Sequence, residues 1–204
     1  MDELDMSSSD RRSRRKKNKT QKGVLSYLHD FTLWLIVIVL VFLLLFRVVI
    51  VSGPSMQPTL VDGDYLLLLS STFYRNPKAG DIVVAAKDSF HNGEPIIKRV
   101  IATAGQTVDI DFDAGIVYVD GNALDEPYTL SKTYLNEGMS FPYKVPENCV
   151  FVMGDNRNNS SDSRNPLIGA IDRREILGKV ILLVIPGVDQ DTGKRDWSRF
   201  GAIS

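Results

Sequence analysis

An apolar run near the start of the chain is the feature that most constrains how this sequence can fold. Residues 31–46 are apolar at every position except Thr32, and the run continues past Arg47 to Val51. As an α-helix, the segment 31–51 extends about 31 Å, which matches the hydrocarbon core of a bilayer. We therefore predict one transmembrane helix over residues 31–51.

The charges that flank this run predict its orientation. Eight Lys and Arg residues lie between Arg11 and Lys22, whereas residues 52–70 contain none and two aspartates. A positive flank stays on the cytoplasmic side of a membrane. Residues 1–30 are therefore predicted to form a basic, disordered cytoplasmic tail that contacts anionic lipid. Residues 52–204 are predicted to form one extracytoplasmic domain.

A cleaved secretory signal peptide is the alternative interpretation of the same run. The run is longer than the apolar region usual in such peptides. The nearest group of small residues, around Ser52 and Gly53, is followed by Pro54, which disfavours cleavage. Both points favour a retained anchor.

Composition excludes several functions for the outer segment. Residues 52–204 carry fifteen Lys and Arg against twenty Asp and Glu, so they lack the basic excess of a nucleic-acid-binding module. The single cysteine, Cys149, cannot form an intramolecular disulfide or a thiolate cluster. The two histidines, His29 and His91, are too few for a His-rich metal site. We expect no metal or cofactor.

Alternating apolar and polar residues predict a mainly β outer domain. Turn signals at 113–115 and 120–122 indicate hairpins, and residues 120–148 are predicted to be a loop-rich insertion. The expected fold is a set of antiparallel sheets that form a folded, partly open, barrel-like domain. The predicted strands are Tyr65–Leu69, Asp81–Ala85, Ile96–Ile101, Thr107–Phe112, Ile116–Val119, Val150–Met153 and Val180–Ile185.

The first of three polar stretches, SGPSMQPT at 52–59, places Ser55 on a stiff turn. Gly53 permits close approach of another chain, and Pro54 and Pro58 restrict the backbone. Such a turn orients a hydroxyl in the way a nucleophile requires. A turn serine that bonds its own backbone fits the same pattern.

The second stretch, PIIKRVI at 95–101, places a lysine on a predicted strand. Lys98 shares one strand face with Ile96 and Val100. Apolar surroundings disfavour the ammonium form and lower a lysine pKa, which suits a general base. A lysine whose stem crosses apolar surface while its amine reaches water is the alternative.

The third stretch, MGDNRNNSSDSR at 153–164, collects hydroxyl, amide, carboxylate and guanidinium groups after a predicted strand. Such a loop can donate hydrogen bonds to an amine and can pair Asp with Arg. The alternative is a solvated surface loop in which Asp162 and Arg164 form a weak ion pair.

The order of serine, lysine and polar loop in one outward-facing domain resembles the type I signal peptidases, which are membrane-anchored Ser/Lys proteases. The resemblance covers the predicted membrane segment and nearly all of the outer domain. The matching segments are SGPSMQPTL at 52–60, GDYLLLL at 63–69, GDIVVA at 80–85, IIKRVIATAGQ at 96–106, VYVDGNALDEPY at 117–128 and GDNRNNSSDSR at 154–164.

The resemblance implies a role for each matching site residue. Ser55 is the expected nucleophile, Lys98 the general base, and Ser160 the residue that orients the lysine. The backbone N–H of Ser55 is expected in the oxyanion hole. In some members, a serine two positions before the nucleophile adds a side-chain donor to the oxyanion hole. Gly53 occupies that position here, so the identity of the second donor is left open. The supporting residues are Gly53, Met56, Pro58, Arg99, Gly154, Asp155, Asn156, Asp162 and Arg164. Among them, the resemblance implies supporting ion pairs of Asp155 with Arg99 and of Asp162 with Arg164.

The resemblance also implies the reaction and the location. The expected activity is removal of signal peptides from exported preproteins after small residues of the Ala-x-Ala type. The expected partners are preproteins and membrane lipid, without nucleic acid, and the expected location is the plasma membrane. A short outer domain with one anchor resembles the Gram-positive members. The sequence leaves the oligomeric state and the individual preproteins open.

Three other functions fit parts of the pattern. A Ser/His/Asp hydrolase would have to use His91, since His29 precedes the membrane segment. A self-cleaving repressor shares the Ser/Lys chemistry but requires a DNA-binding region. A non-catalytic surface assembly factor would not need both Ser55 and Lys98.

Overall fold

The computed structural model describes residues 6–90, 93–188 and 192–203, with side chains from residue 26 onward. The chain divides into two compact units, Met1–Leu44 and Leu45–Ser204. His91, the histidine that a Ser/His/Asp hydrolase would need, lies outside the described residues.

The first unit contains a long helix, α1, at Met6–Leu45. Its part from Ser26 to Leu45 spans 20 residues and is long and apolar enough to cross a membrane. Residues 6–30 are therefore helical where the sequence predicted disorder. Lys, Arg and Gln are good helix formers, and a helix extends readily from an existing turn.

The helix ends six residues before the predicted position. The prediction that it continues to Val51 is corrected, because Phe46–Ile50 form the strand β1. The β-branched residues of this segment favour a strand, and each position of β1 pairs with a residue of the next strand.

The second unit is mainly β, as predicted. After β1 follow β2 (Tyr65–Ser70), β3 (Ile82–Ala85), β4 (Ile96–Thr103), β5 (Thr107–Asp111), β6 (Ile116–Val119), β7 (Asn122–Ala123), β8 (Tyr143–Lys144), β9 (Cys149–Met153), β10 (Ile171–Asp172), β11 (Ile176–Ile185) and β12 (Gly201–Ala202). Short 3₁₀ helices occupy Arg173–Glu175 and Trp197–Arg199. Every predicted strand is confirmed in β2 to β6, β9 or β11.

Two antiparallel sheets contain these strands. The larger has the order β1-β2-β11-β3-β4-β9-β10, with β12 beside β11, and the smaller has the order β7-β6-β5-β8. The larger sheet is curled into a half-barrel, so the predicted partly open antiparallel fold is confirmed. Register shifts within β11 interrupt its pairing with β2 and β3, and such bulges increase local twist.

The smaller sheet lies only partly in the predicted insertion at 120–148, because β7 and β8 fall within that range whereas β5 and β6 precede it. The turn between β5 and β6 uses Gly115 at φ +70°, and the turn before β7 places Asp120 at φ +51° and Gly121 at φ +78°. These are the two hairpins that the sequence predicts. Between β7 and β8 the chain runs without helix or strand through residues 124–142.

Alternating burial along the strands builds the core of the domain. In β2, for example, Leu66 and Leu68 are buried while their neighbours are partly exposed. Met56 and Leu60, which flank the Ser55 turn, lie in the same apolar cluster as these leucines. The turn that carries Ser55 is therefore anchored in the core.

Candidate active site

Hydrogen bonds within the chain fix the turn that carries Ser55. Gly53 adopts φ +87°, and its N–H donates to Asp62 Oδ1 at 2.8 Å. Gln57 N donates to Pro54 O at 3.1 Å, which closes the turn around the serine. Since the turn is closed and its apolar residue Met56 is only 1% exposed, the backbone at Ser55 is held in one place.

Strand β4 brings Lys98 to this turn. Lys98 Nζ lies 2.9 Å from Ser55 Oγ and donates to Ile97 O at 3.1 Å. The lysine is only 5% exposed. The structure thus brings together the predicted nucleophile and the predicted base, which are 43 residues apart in the chain.

Burial lowers the pKa of Lys98 from its ordinary value. The negative charges of Asp162, Glu137 and Asp155 oppose this change, whereas Arg164 adds to it. Desolvation is the largest influence, as expected for an amine removed from water. The neutral amine, which can accept a proton, is therefore favoured relative to a solvent-exposed lysine.

The loop after β9 contacts the turn from the other side. Asn156 N donates to Ser55 O at 3.0 Å, and Asn156 Nδ2 donates to Pro54 O at 3.2 Å. A Cβ on Gly154 would lie 2.5 Å from Ser55 O and 2.3 Å from Ser160 Oγ. Only glycine permits this close approach, which explains why glycine occupies the second position of the third polar stretch.

The predicted pair of Arg99 and Asp155 is a buried, two-pronged ion pair. Arg99 Nε and Nη2 each donate to an Asp155 oxygen at 2.9 Å, with side chains 2% and 0% exposed. Thr59 Oγ1 donates to Asp155 Oδ2 at 2.5 Å. The Arg99 guanidinium also lies 4.1 Å from the centre of the Tyr128 ring. These contacts join β4, the Ser55 turn and the loop after β9.

The second predicted pair, Asp162 and Arg164, is fully buried rather than solvated. Arg164 Nε and Nη2 donate to the two Asp162 oxygens at 2.8 Å each. Asp162 Oδ2 also accepts from Gly154 N at 2.9 Å. A surface ion pair, the alternative left open by the sequence, does not describe this contact because both side chains are 0% exposed.

The hydroxyl of Ser160 binds a carboxylate in this structure. Ser160 Oγ donates to Asp162 Oδ2 at 3.0 Å. Within the described parts of the chain, the hydrogen bonds of Lys98 Nζ go to Ser55 and Ile97, not to Ser160. A carboxylate accepts stronger hydrogen bonds than a neutral group, which explains why the Ser160 hydroxyl binds Asp162 and not Lys98. That Ser160 orients the lysine stays a prediction.

Sequence reasoning missed one contributor at the centre of the third stretch. Arg157 is 1% exposed and donates to Gly154 O at 3.0 Å. It also donates to Glu126 at 2.6 and 2.8 Å and to Thr133 Oγ1 at 3.0 Å. Arg157 therefore ties the insertion to the loop that contacts Ser55. Two sequence features could have identified Arg157. It lies between Asn156 and Asn158, and Glu126 lies in a segment that matches the type I signal peptidases.

A cavity of about 420 Å³ opens beside Ser55 and Lys98. It lies beside two strand segments with a free edge. Within the described residues, β1 pairs with β2 alone, and β4 pairs with β9 only from Arg99 onward. Its lining is mostly apolar and consists of Val49, Ile50, Val51, Ser52, Ser55, Met56, Val84, Pro95, Ile96, Ile97 and Lys98. An extended peptide fits such a site, because the strand edges offer main-chain hydrogen bonds.

No group of His, Cys, Asp and Glu side chains suited to a metal ion occurs among the residues that the structure describes. The arrangement instead offers a serine hydroxyl, a buried amine and a peptide-sized cleft. Acyl transfer by a nucleophile and a general base is the chemistry these groups perform.

Comparison with known proteins points to the same chemistry. The family described as "Signal peptidase, peptidase S26" matches residues 24–185. A probable signal peptidase I-1 from Synechocystis is 37% identical over 164 residues, which cover 74% of this chain and 80% of the relative. A signal peptidase I from Bacillus licheniformis is 37% identical over 150 residues, which cover 70% of this chain and 78% of the relative.

A solved signal peptidase I from Enterococcus faecalis is 31% identical, with a TM-score of 0.41, and the match covers 52% of this chain and 97% of that structure. The family match includes both Ser55 and Lys98. The chain therefore belongs to the S26 family of signal peptidases, and is a serine endopeptidase of that family.

Proposed function

We propose that this chain is a membrane-anchored signal peptidase that uses Ser55 as nucleophile and neutral Lys98 as general base. The single observation that carries the proposal is the 2.9 Å separation of Lys98 Nζ and Ser55 Oγ in a buried setting. A neutral amine at this distance can accept the hydroxyl proton directly, without a histidine between them.

In the first step, Ser55 Oγ attacks the scissile carbonyl carbon while Lys98 Nζ takes the hydroxyl proton. The tetrahedral intermediate collapses to an ester on Ser55, and the ammonium of Lys98 gives its proton to the leaving amine. A water molecule then attacks the ester while the neutral lysine accepts its proton, and the lysine returns that proton to Ser55 Oγ as the ester bond breaks. The products are the signal peptide with a carboxylate and the mature chain with a new amino terminus.

The oxyanion formed in each step needs hydrogen-bond donors. The N–H of Ser55 donates no hydrogen bond within the described residues, so it is free to contribute. Gly53 has no side-chain donor, and its own N–H donates to Asp62. A single good donor at such a position typically accounts for about 10²- to 10³-fold in rate.

The cavity beside Ser55 supports binding of the substrate as an added strand. The free edges of β1 and of the start of β4 supply main-chain donors and acceptors, and the apolar lining receives alternate side chains. Resemblance to the type I signal peptidases adds the preference for small residues of the Ala-x-Ala type. Signal peptides of exported preproteins are the substrate class that fits both.

The apolar part of α1 supports anchoring in the membrane. This part, Ser26–Leu45, is a mostly apolar segment of 20 residues, and it follows a segment with eight positive charges. With that flank on the cytoplasmic side, the β domain lies outside, where exported preproteins emerge. The plasma membrane of a bacterium is the proposed location.

Cleavage of a labelled preprotein by the purified full-length chain in detergent tests the proposal. The wild-type chain should release the mature protein, and Ser55→Ala should not. Ser140→Ala, which changes an exposed serine in the insertion, is the matched control and should cleave normally. Normal cleavage by Ser55→Ala would refute Ser55 as the nucleophile.

A further inference from the structure

A small pocket lined by arginines lies elsewhere in the β domain. Its volume is about 150 Å³, and none of its residues lines the cavity beside Ser55. The loop after β2 forms one wall, and the 3₁₀ helix before β11 forms the other. The lining residues are Ser71, Tyr74, Arg75, Pro77, Arg173, Arg174 and Ile176.

Arg173 carries a buried donor that the protein does not satisfy. Its Nε is buried and has no hydrogen-bond partner. An unpaired buried donor costs about 1–3 kcal/mol, and more when the group is charged, so native proteins rarely keep one without a reason. Because this atom is closed to solvent, what Arg173 offers to a ligand in the pocket is the positive charge of its guanidinium rather than this donor.

Two of the three arginines keep an unbalanced positive charge. Arg174 forms a two-pronged pair with Asp172, at 2.9 and 2.8 Å. Over the described segments, neither Arg75 nor Arg173 forms an ion pair; Arg75 Nε donates to the backbone oxygen of Thr72 at 3.3 Å. The pocket therefore offers two positive charges to an anion.

The neighbouring acids are already occupied by other groups. Glu175 Oε2 accepts from Asp172 N at 2.8 Å and lies 3.9 Å from Lys87 Nζ. Asp81 accepts from the Tyr74 hydroxyl and pairs with Lys179, each at 2.5 Å. These contacts leave the charges of Arg75 and Arg173 without compensation, in a domain whose overall charge is negative.

The position of the pocket in the sheet indicates the source of its anion. Phe46, which directly follows α1, pairs with Leu69, and Ser71 stands two residues beyond Leu69. The pocket thus lies at the end of the sheet where the chain enters the domain. In the same loop, the apolar side chain of Phe73 is 54% exposed, so it is accessible to lipid.

We propose that this pocket binds the phosphate group of an anionic membrane lipid, with Arg75 and Arg173 as the cationic donors and Ser71 as a hydroxyl donor. Arg is suited to phosphate because its planar fork donates two parallel hydrogen bonds. The proposal rests on the membrane anchoring proposed above. Its consequence is that lipid contact holds the β domain against the surface from which preproteins emerge.

Titration of the full-length chain in non-ionic detergent tests this site. The probes are short-chain phosphatidylglycerol, short-chain phosphatidylcholine and inorganic phosphate, and calorimetry measures each dissociation constant. Phosphatidylglycerol should bind the wild-type chain, with Arg75→Gln and Arg173→Gln each weakening binding about tenfold, as for loss of one charge-assisted hydrogen bond. Phosphatidylcholine, whose headgroup is neutral overall, should bind more weakly.

Lys132→Gln with Lys144→Gln is the matched control for the Arg75 and Arg173 double variant. It removes the same charge from exposed positions in the insertion and should leave phosphatidylglycerol binding unchanged. Equal binding by wild type and double arginine variant would overturn the proposal, as would equal loss in the lysine control. Binding of inorganic phosphate as tight as that of the lipid would overturn the lipid assignment.

Two further measurements separate this proposal from other failures. Arg173→Gln removes an unpaired donor, so its melting temperature should not fall, and Arg173→Lys provides a variant that keeps the charge. Ser55→Ala should bind phosphatidylglycerol like the wild type. If the wild-type chain binds lipid but cleaves no preprotein, the proposed function is refuted while the lipid-binding proposal stands.

Discussion

At the scale of single residues, the burial of Lys98 is the property on which the proposed mechanism depends. The amine is 5% exposed and its pKa is lowered by desolvation. The unfolded chain therefore binds this proton more tightly than the folded chain does. The contribution of Lys98 to folding stability is least favourable at low pH and improves as pH rises towards the ordinary lysine pKa.

Lys98→Met separates the proposed catalytic role of Lys98 from its effect on stability. Cleavage should fall at least about 100-fold, the usual effect of losing a general base. The melting temperature near neutral pH should stay equal or rise, because methionine fills similar space without a charge to bury. In the wild type, the cleavage rate should increase with pH as the lysine loses its proton. Assays of cleavage and thermal unfolding across a pH series measure both effects.

Glu137 is a second residue whose charge influences the site. Burial and the nearby Asp162 raise the pKa of Glu137 to about 7, and its Oε1 lies 3.3 Å from Arg164 Nη2. Its negative charge raises the pKa of Lys98. Glu137→Gln should therefore shift the rise of the cleavage rate to lower pH, while the maximal rate at high pH stays close to that of the wild type.

A pH series of cleavage rates measures the shift caused by Glu137→Gln. Glu147→Gln removes the same charge at an exposed position and should leave the profile unchanged. A shift to higher pH in Glu137→Gln would contradict the electrostatic argument. Loss of activity at every pH would indicate a structural role instead.

At the scale of elements, the contact between the Ser55 turn and the loop after β9 determines the geometry of the site. Gly154→Ala should displace that turn, since the new Cβ would lie 2.5 Å from Ser55 O. We expect a loss of about 1–3 kcal/mol in the free energy of unfolding. A displacement of this kind near the reacting atoms should also reduce cleavage by about 100-fold.

Gly121→Ala is the control for the effect of adding a methyl group to a glycine. Gly121 has φ +78° but no atom near the added Cβ. It should lose about 1 kcal/mol in stability from backbone strain and keep full activity. Denaturant unfolding and the cleavage assay compare the two variants, and equal activity of Gly154→Ala and Gly121→Ala would disprove the contact argument.

Local sequence patterns predicted the elements whose signals are local. Alternation found β2 to β6, β9 and β11, and the turn residues at 113–115 and 120–122 found two hairpins. The strand β1 was missed because its residues are as apolar as the end of a membrane helix, and only pairing with β2 distinguishes the two. The strands β7, β8, β10 and β12 have two residues each, too few for any periodicity.

The site shows the same division between local and long-range information. Lys98 on a strand with apolar neighbours was predictable, but its 2.9 Å contact with Ser55 depends on a fold that joins positions 43 residues apart. Burial of Asp162 and Arg164 was not predictable either, because a polar loop and a buried ion-pair network have the same composition. Resemblance to a family supplied the pairing that local patterns lack.

At the scale of the whole molecule, the two units differ in charge as well as in structure. The first 30 residues hold eight Lys and Arg against five Asp and Glu, whereas residues 52–204 hold fifteen against twenty. The positive residues lie shortly before the apolar part of α1, so they oppose translocation of the N-terminus. The acidic domain after the helix carries no such barrier. This asymmetry favours the proposed orientation, with the N-terminus on the cytoplasmic side.

Cysteine labelling measures that orientation. In a Cys149→Ser background, a cysteine in place of Lys144 should react with a membrane-impermeant maleimide on intact cells, because Lys144 is exposed in the β domain. A cysteine in place of Ser9 should react only after detergent opens the membrane. Changing to Gln all eight Lys and Arg that precede the apolar part of α1 should produce a population with mixed orientations, since the charge bias is then lost. If the cysteine at position 9 is labelled on intact cells in a chain that keeps all eight Lys and Arg, the proposed topology is wrong. Ser55 would then lack access to preproteins that emerge on the outer side.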